Sequence, residues 1–421
     1  MAAAPNHPTQ PKATDETQGH IAHTQAADSQ RGLPGEMRGP LKVTMLGAGS
    51  GFTPRLIGDL VQTEGNQGGE FCIVDIDAER LAAVRSFIDI LLKKLGVSGW
   101  TVTATTDRRE VLKDSDYIVN CIEVSGPECV RIDNDIPMEY GVEQCIGDTI
   151  GPGGLFKGLR TIPVFLDVLR DAEELCPDAL ILNYTNPMNM MCLAAGRVSP
   201  MPVVGLCHSV QGTSHLLARR AGVPYEELDW ECAGINHLAW FTKLQHNGID
   251  LYPKLMEMAR QDIAGNPSNP DDAKDLVRKD MMLHFGAFIT ESSGHLSEYL
   301  PYYRTDKKVM ETYLRDAYDG ESSYYADHWP EWRRNVDAGR KEVIEGKKSI
   351  DDMRKKGWAR SWEYASWIIE AHQKDAPFRI YGNVMNKKDS AGPLIGNLPH
   401  DGCVEVACMI DRNGINPTLY G

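Results

Sequence analysis

Six residues of apolar-rich character, Leu41-Lys42-Val43-Thr44-Met45-Leu46, run straight into Gly47-Ala48-Gly49-Ser50-Gly51. A buried strand that breaks into glycines just before a helix start has few structural solutions. The glycines let backbone N–H groups reach an anion at the positive end of the next helix, which is the geometry of a dinucleotide-binding turn. Thr53-Pro54 reads as a threonine cap followed by proline in the first turn, where a missing N–H costs nothing. Gly47 and Gly49 fill the first two positions of G-x-G-x-x-G, but Phe52 stands at the third and Gly51 comes one residue early. A second strand, Phe71-Cys72-Ile73-Val74-Asp75, ends on an acid. An acid there accepts hydrogen bonds from a ribose diol and repels a 2′-phosphate, favouring NAD over NADP. Gly47, Gly49, Ser50 and Asp75 are the expected cofactor contacts. The plainer alternative is a glycine turn followed by a helix-capping aspartate.

Beyond the loop, strands alternate with helices. Asp77 caps a helix whose Leu81, Val84, Ile88, Leu91 and Leu95 share one face, and Gly96 ends it. Tyr117 to Val124, Ala179 to Asn183 and Val203 to Leu206 are further strands, which implies a doubly wound parallel sheet. The pattern changes near residue 229. Trp230 to Ile235 and Trp240 to Leu244 read as strands, with Asn247-Gly248 as a hairpin turn. Helical, aromatic-rich segments occupy roughly 270–373, and a strand pair near Arg379–Val384 and Cys403–Ile410 returns to a sheet. The expected organisation is a flexible tail over 1–40, an NAD-binding Rossmann-like domain over 41–228, and an α+β substrate and metal domain over 229–421. The chain carries 44 basic against 59 acidic residues, a formal net charge of −15, which argues against nucleic-acid or anionic-membrane surfaces. No stretch is long and apolar enough for a spanning helix, and the N-terminal tail lacks the apolar core of a secretory signal. Ten cysteines without a regular framework point to a reducing cytoplasm.

Gly205-Leu206-Cys207-His208-Ser209-Val210 follows a strand, so Cys207 and His208 fall at its carboxyl end, the ligand edge of such a sheet. Ala233-Gly234-Ile235-Asn236-His237 comes later. A thiolate and an imidazole can share a divalent metal, although each alone is also compatible with a core cysteine or a satisfied histidine.

Taken together, these segments resemble glycoside hydrolase family 4. The other matching motifs are Asp148-Thr149 before Gly151-Pro152-Gly153-Gly154, Asn183-Tyr184-Thr185-Asn186-Pro187, and Thr290-Glu291-Ser292-Ser293. The resemblance covers residues 41 to 421 and is strongest to the melibiase-type bacterial α-galactosidases. It implies a Rossmann-like doubly wound sheet with a second α+β domain, resembling the lactate and malate dehydrogenase architecture. Relatives of this type continue for several dozen largely helical residues past the point matching Tyr420-Gly421.

The resemblance also implies a mechanism, an exception to the two-carboxylate scheme. NAD+ oxidises the sugar at C3, a base removes the acidified C2 proton, and the glycosidic oxygen leaves C1. Water then adds, and C3 is reduced again. By carry-over, Cys207 and His237 hold the metal. Ligand softness would suggest zinc, but the family uses Mn2+ or another divalent cation. Asn186 and Asp148 contact the substrate, and His208 is the candidate acid for the leaving group. Tyr299 is the candidate C2 base, with Glu291 the carboxylate alternative. Trp329, Trp332, Trp358, Trp362 and Trp367 read as packing residues rather than as a sugar-stacking wall. The resulting expectation is an NAD- and metal-dependent α-galactosidase, cytoplasmic and homo-oligomeric as a dimer or tetramer. An α-galacturonidase, with Arg304 reading a C6 carboxylate, is the runner-up, and an α-glucosidase a further variant. A dehydrogenase of a hydroxy acid or polyol is the alternative from another class.

Overall fold

The computed structural model describes residues 32–267, 269, 273–354, 357–387 and 392–420. The first half lays down β1 (Leu41–Leu46), α1 (Thr53–Val61), β2 (Gly69–Val74), α2 (Ala78–Leu95), β3 (Trp100–Thr105) and β4 (Tyr117–Asn120). It continues through α3 (Gly126–Glu139), α4 (Gly151–Leu175), β5 (Leu180–Asn183), α5 (Met188–Val198), β6 (Val203–Leu206) and α6 (Ser209–Ala221). These strands pair in parallel in the order β3-β2-β1-β4-β5-β6. The order reverses between β1 and β4, and the crevice there is where such sheets take ligands.

β1, β4, β5 and β6 read as apolar-rich runs because both faces of the sheet are covered. On one side Leu56, Ile57 and Leu60 of α1 share a core with Trp367, Ile368 and Ile369. On the other, Phe165 and Leu169 of α4 pack with Met191 of α5. Strand β3 was not anticipated. Its Trp-Thr-Val-Thr-Ala-Thr sequence forms a partly exposed edge, so it lacks the apolar signal of the inner strands.

The second half contains the hairpin β7 (Leu228–Ile235) and β8 (Leu238–His246), then β9 (Ile249–Asp250), α7 (Tyr252–Ile263), α8 (Leu276–Phe285) and β10 (Phe288–Ile289). Then come α9 (Ser293–Tyr299), α10 (Lys307–Tyr313), α11 (Tyr324–Ile344), α12 (Tyr364–Lys374), β11 (Phe378–Met385), β12 (Cys403–Asp411) and β13 (Gly414–Pro417). The tight turn joining β7 to β8 is Asn236-His237, while Asn247-Gly248 joins β8 to β9. Among the described residues of the stretch expected to be helical, only α11 is long, at 21 residues. The shorter pieces end at Gly286, in the left-handed conformation, and before Pro301.

The sheet does not stop at the midpoint of the chain. β11 pairs antiparallel with β6, Gly382 opposite Leu206 and Asn383 opposite Gly205, and carries one hydrogen-bonded sheet into the second half. Gly205 permits this contact: a Cβ there would sit 2.5–2.8 Å from Met188, Cys192 and Asn383. Residues 1–31 of the expected tail lie outside the described residues. Its last part is packed, with Leu33 and Met37 buried and the Leu33 N–H donating to Glu370 Oε1 at 2.8 Å. Order therefore begins before Leu41. No described helix is long and apolar enough to cross a membrane.

Candidate active site

The glycine loop departs from β1 as the sequence suggested. Gly47 has φ +72, and a Cβ there would lie 2.3 Å from the Cys121 carbonyl oxygen, so only glycine fits between β1 and the turn after β4. The cap of α1 is Phe52 rather than Thr53, and no side chain caps it. The Phe52 N–H donates to Ser50 Oγ and the Arg55 N–H to the Phe52 carbonyl, both at 3.0 Å, and Pro54 carries no N–H, so the Thr53 N–H is the group of this turn left to water or an anion. Asp75 has a role the sequence did not disclose. Its Oδ2 accepts the Gly49 N–H at 2.6 Å and its Oδ1 the Asp77 N–H at 2.9 Å, so the carboxyl braces the loop it was expected to complement. Asp77 caps α2 as expected, accepting from the Arg80 N–H.

Cys207 immediately follows β6, His237 sits in the β7–β8 turn, and Glu291 follows β10. The topology brings the three together. One donor atom from each lies within 4.8 Å of the others, the arrangement a metal ion requires. Both His237 (φ +62) and Glu291 (φ +74) hold left-handed backbone conformations, and non-glycine strain of this kind clusters at functional sites. Burial would push the Cys207 thiol up, but the adjacent His237 holds it below its ordinary value. Burial opposes the charge on His237, yet Cys207 and Glu291 raise its pKa. His295 is the reverse case: burial and then His237 lower it to about 4, leaving it neutral. His237 Nδ1, His295 Nε2 and both side-chain polar atoms of Asn236 are buried without a hydrogen-bond partner. Such atoms cost about 1–3 kcal/mol each when unpaired. Their convergence beside two strained residues fits a metal and a polar ligand.

Around this cluster, the Asn186 amide donates to Asp148 Oδ2 at 3.2 Å, and Asp148 lies 3.8 Å from His295. Burial opposes the Asp148 charge, but Lys157, His295 and Thr149 hold its carboxyl below the usual range. Lys157 in turn reaches Glu123 at 2.9 Å. The Tyr299 ring is 6.3 Å from that of His237 and 5.8 Å from that of His295. Burial and then the Asp148 and Glu291 carboxylates push its phenol well above the ordinary value. His208 Nε2 contacts Glu363 Oε2 at 2.6 Å, with the ring stacked near Tyr184. Burial works against its charge, and Glu363 outweighs that, raising the imidazole to about 9. The ring is still 45% exposed, so it faces an open cleft.

Glu363, His295, Lys157 and Glu123 were not anticipated. Glu363 comes from the start of α12, 155 residues from His208, and nothing local signals the pairing. Only His295, four residues past Glu291, carried a spacing signal. Arg304 does not project as a carboxylate reader: its Nε donates to Ser297 Oγ, Nη1 to Ser322 and Nη2 to the Gly320 carbonyl. Trp358, Trp362 and Trp367 are buried, and Trp329 and Trp332 join a cluster with Tyr318, Tyr324 and Tyr325. Trp358, Trp362 and Trp367 therefore pack, as the sequence favoured, while Trp329 and Trp332 are partly exposed.

Comparison with known proteins gives a concordant result. The profile described as "Family 4 glycosyl hydrolase" matches residues 42–223, and "Family 4 glycosyl hydrolase C-terminal domain" matches 232–421. An α-galactosidase of Bacillus subtilis is 38% identical, over 90% of this chain and 83% of that protein. An α-galactosidase of Rhizobium meliloti is 36% identical, over 89% of this chain and 74% of that protein. Among solved structures, a 6-phospho-α-glucosidase from gut microorganisms, in complex with NAD and Mn2+, superposes with a TM-score of 0.72. It is 26% identical and covers 91% of this chain and 84% of its own.

Proposed function

Because the chain belongs to family 4 of the glycosyl hydrolases, we propose that it hydrolyses α-galactosides with NAD+ and a divalent cation, Mn2+ first among them. One observation carries the reading: Cys207, His237 and Glu291 converge at the carboxyl edge of the sheet, beside the Asn186–Asp148 pair. A dehydrogenase that works without a metal has no need of that donor set. The identity to two α-galactosidases supports the substrate class, and the solved 6-phospho-α-glucosidase with NAD and Mn2+ supports the cofactors. The engagement of Arg304 by Ser297, Ser322 and Gly320 argues against the α-galacturonidase alternative.

When bound, the cofactors supply a reversible hydride acceptor for C3 and Lewis-acid polarisation of the C2 and C3 oxygens. Cys207 and His237 hold the cation, and the position of Glu291 within the same cluster suits a third donor better than a free base. Asn186 and Asp148 orient sugar hydroxyls through charge-assisted hydrogen bonds. Tyr299 removes the C2 proton. Burial, and then the Asp148 and Glu291 carboxylates, hold its phenol high, and a cation held by the neighbouring donors would lower it. His208, kept protonated by Glu363, donates to the departing glycosidic oxygen.

This reading sets the enzyme in the cytoplasm, a compartment that suits ten free thiols. It also makes the enzyme a homo-oligomer, supported by exposed apolar side chains on neighbouring α3 and α4, among them Ile132, Ile136, Leu155, Phe156 and Leu159. A panel of nitrophenyl α- and β-glycosides and glycuronides, assayed with NAD+, Mn2+ and a thiol, tests the function. Release from the α-galactoside without accumulation of NADH at ~340 nm is the expected result. Cleavage confined to a glycuronide would overturn the substrate, and net NADH production from a free sugar or hydroxy acid would overturn the mechanism.

A further inference from the structure

Helix α11 crosses from the second half of the chain to the glycine loop. Residues 333, 336, 337 and 340 fall on one helical face, at spacings of three and four. Three of them have clear tasks. Arg340, almost wholly buried, donates to the carbonyls of Gly49 and Ser50 at 3.4 and 3.2 Å. Val336 covers Gly51, where a Cβ would lie 3.1 Å from its Cγ1. Asp337 pairs with Arg80 of α2 at 3.1 Å.

Arg333 is the exception. Its guanidinium is partly buried beside the turn after β4, with Nη1 3.5 Å from the position of a Cβ on Gly126. It makes no hydrogen bond or ion pair with any described residue. The charges around it are Arg80, which repels it, and Asp337, Asp77 and Asp75, none within pairing distance. A guanidinium carries five donors in a planar fork that matches phosphate oxygens. Leaving that fork unpaired in a partly desolvated crevice next to a second arginine is unfavourable unless an anion arrives. The crevice is the one between β1 and β4, toward which the uncapped end of α1 also opens.

We propose that Arg333 is a ligand for a phosphate group of the bound nucleotide, contributed from the second half of the chain. This rests on the reading that the glycine loop takes a dinucleotide. It adds a contact that neither the loop nor Asp75 provides. The phosphate is either the diphosphate, shared by NAD+ and NADP+, or the adenosine 2′-phosphate of NADP+ alone.

Isothermal titration of the full chain with NAD+, NADP+ and adenosine tests it, using wild type, Arg333→Leu and Arg333→Lys. Charge-assisted hydrogen bonds are worth about 1.5–3 kcal/mol, so Arg333→Leu should weaken a phosphate-bearing ligand about 10- to 100-fold. Adenosine binding should be unchanged. Arg333→Lys should recover part of the loss, because it keeps the charge without the fork. Equal losses for NAD+ and NADP+ identify the diphosphate, and a loss confined to NADP+ identifies the 2′-phosphate. Both support the assignment. Wild-type affinity in Arg333→Leu overturns it, as does a matching loss of adenosine, which would mean the site itself had deformed. Failure of the wild type to bind any dinucleotide would instead overturn the cofactor reading on which the assignment stands.

Discussion

Adding Mn2+ to the protein should raise its melting temperature by an amount that depends on Cys207. The three donors come from three separate strand ends, so they are brought within 4.8 Å only in the folded chain. A ligand confined to the native state stabilises it by RT ln(1 + [L]/Kd), about 2.7 kcal/mol at 100 times Kd. Unfolding entropy of about 2.1 cal/mol/K per residue gives roughly 0.9 kcal/mol/K for a chain of this length, hence a shift of about 3 °C. Cys207→Ser replaces a thiolate by a poor donor. A 100-fold loss of affinity at the same Mn2+ concentration leaves about 0.4 kcal/mol, a shift of about 0.5 °C. His237→Ala should behave in the same way. Differential scanning calorimetry with and without Mn2+ measures both, and NAD+ titration of each variant checks that the glycine loop is intact. Identical wild-type curves with and without Mn2+ would refute the metal site. So would a full 3 °C shift surviving in Cys207→Ser, which would place the ion elsewhere.

Three other outcomes follow from the same geometry. Asp75→Asn keeps an acceptor for the Gly49 N–H but removes the charge, so the preference for NAD+ over NADP+ should narrow while NAD+ still binds; competitive titration of the two reads this, and an unchanged ratio removes Asp75 from cofactor selection. Turnover in D2O should leave deuterium at C2 of the released sugar, and Tyr299→Phe should suppress both incorporation and hydrolysis; nuclear magnetic resonance of the product checks it, and retention of both activities would exclude Tyr299 as the base. Asp59 is fully buried and burial raises its carboxyl from 3.8 to about 6, against the opposing effect of its Ser361 contacts. Because the folded state holds this proton more tightly, the Asp59 contribution to stability is greatest below pH ~4 and falls by about 3 kcal/mol as pH rises to ~6, a component that the difference between urea titrations of wild type and Asp59→Asn should show.

The parallel half of the fold was legible because β1, β4, β5 and β6 are buried on both faces and read as short apolar-rich runs, β1 interrupted by Lys42 and Thr44. The edge strand β3 was not, since three threonines in six residues give no such signal. Cys207 and His237 became a site only through the wording of their motifs; spacing alone could not pair residues from β6 and a distant hairpin turn. Glu363 was invisible for a related reason. Its partner His208 lies 155 residues away, and an acid at a helix start ordinarily serves as a cap. Asp75 was placed correctly at the end of β2, but its engagement with the Gly49 N–H depends on loop curvature that no pattern of residue types encodes. Arg304 went the opposite way: a basic residue near the expected substrate is turned to Ser297, Ser322 and Gly320, because these acceptors take one bond from each of its three nitrogens.

The hydrogen bonds between β6 and β11 have a mechanical consequence. Cys207 immediately follows the strand that is stitched to Asn383, so the thiol rides on a continuous plank of sheet that spans both halves of the chain. A hinge at the midpoint would have to tear that stitching, and the separation between the glycine loop and the Cys207–His237–Glu291 cluster is accordingly built in at folding. Enzymes that clamp down on substrate gain selectivity from the swing of one lobe against another. In this architecture the lobes are rafted together, and the freedom to admit a sugar and release its fragments falls to the segments between strands that lie outside that cluster.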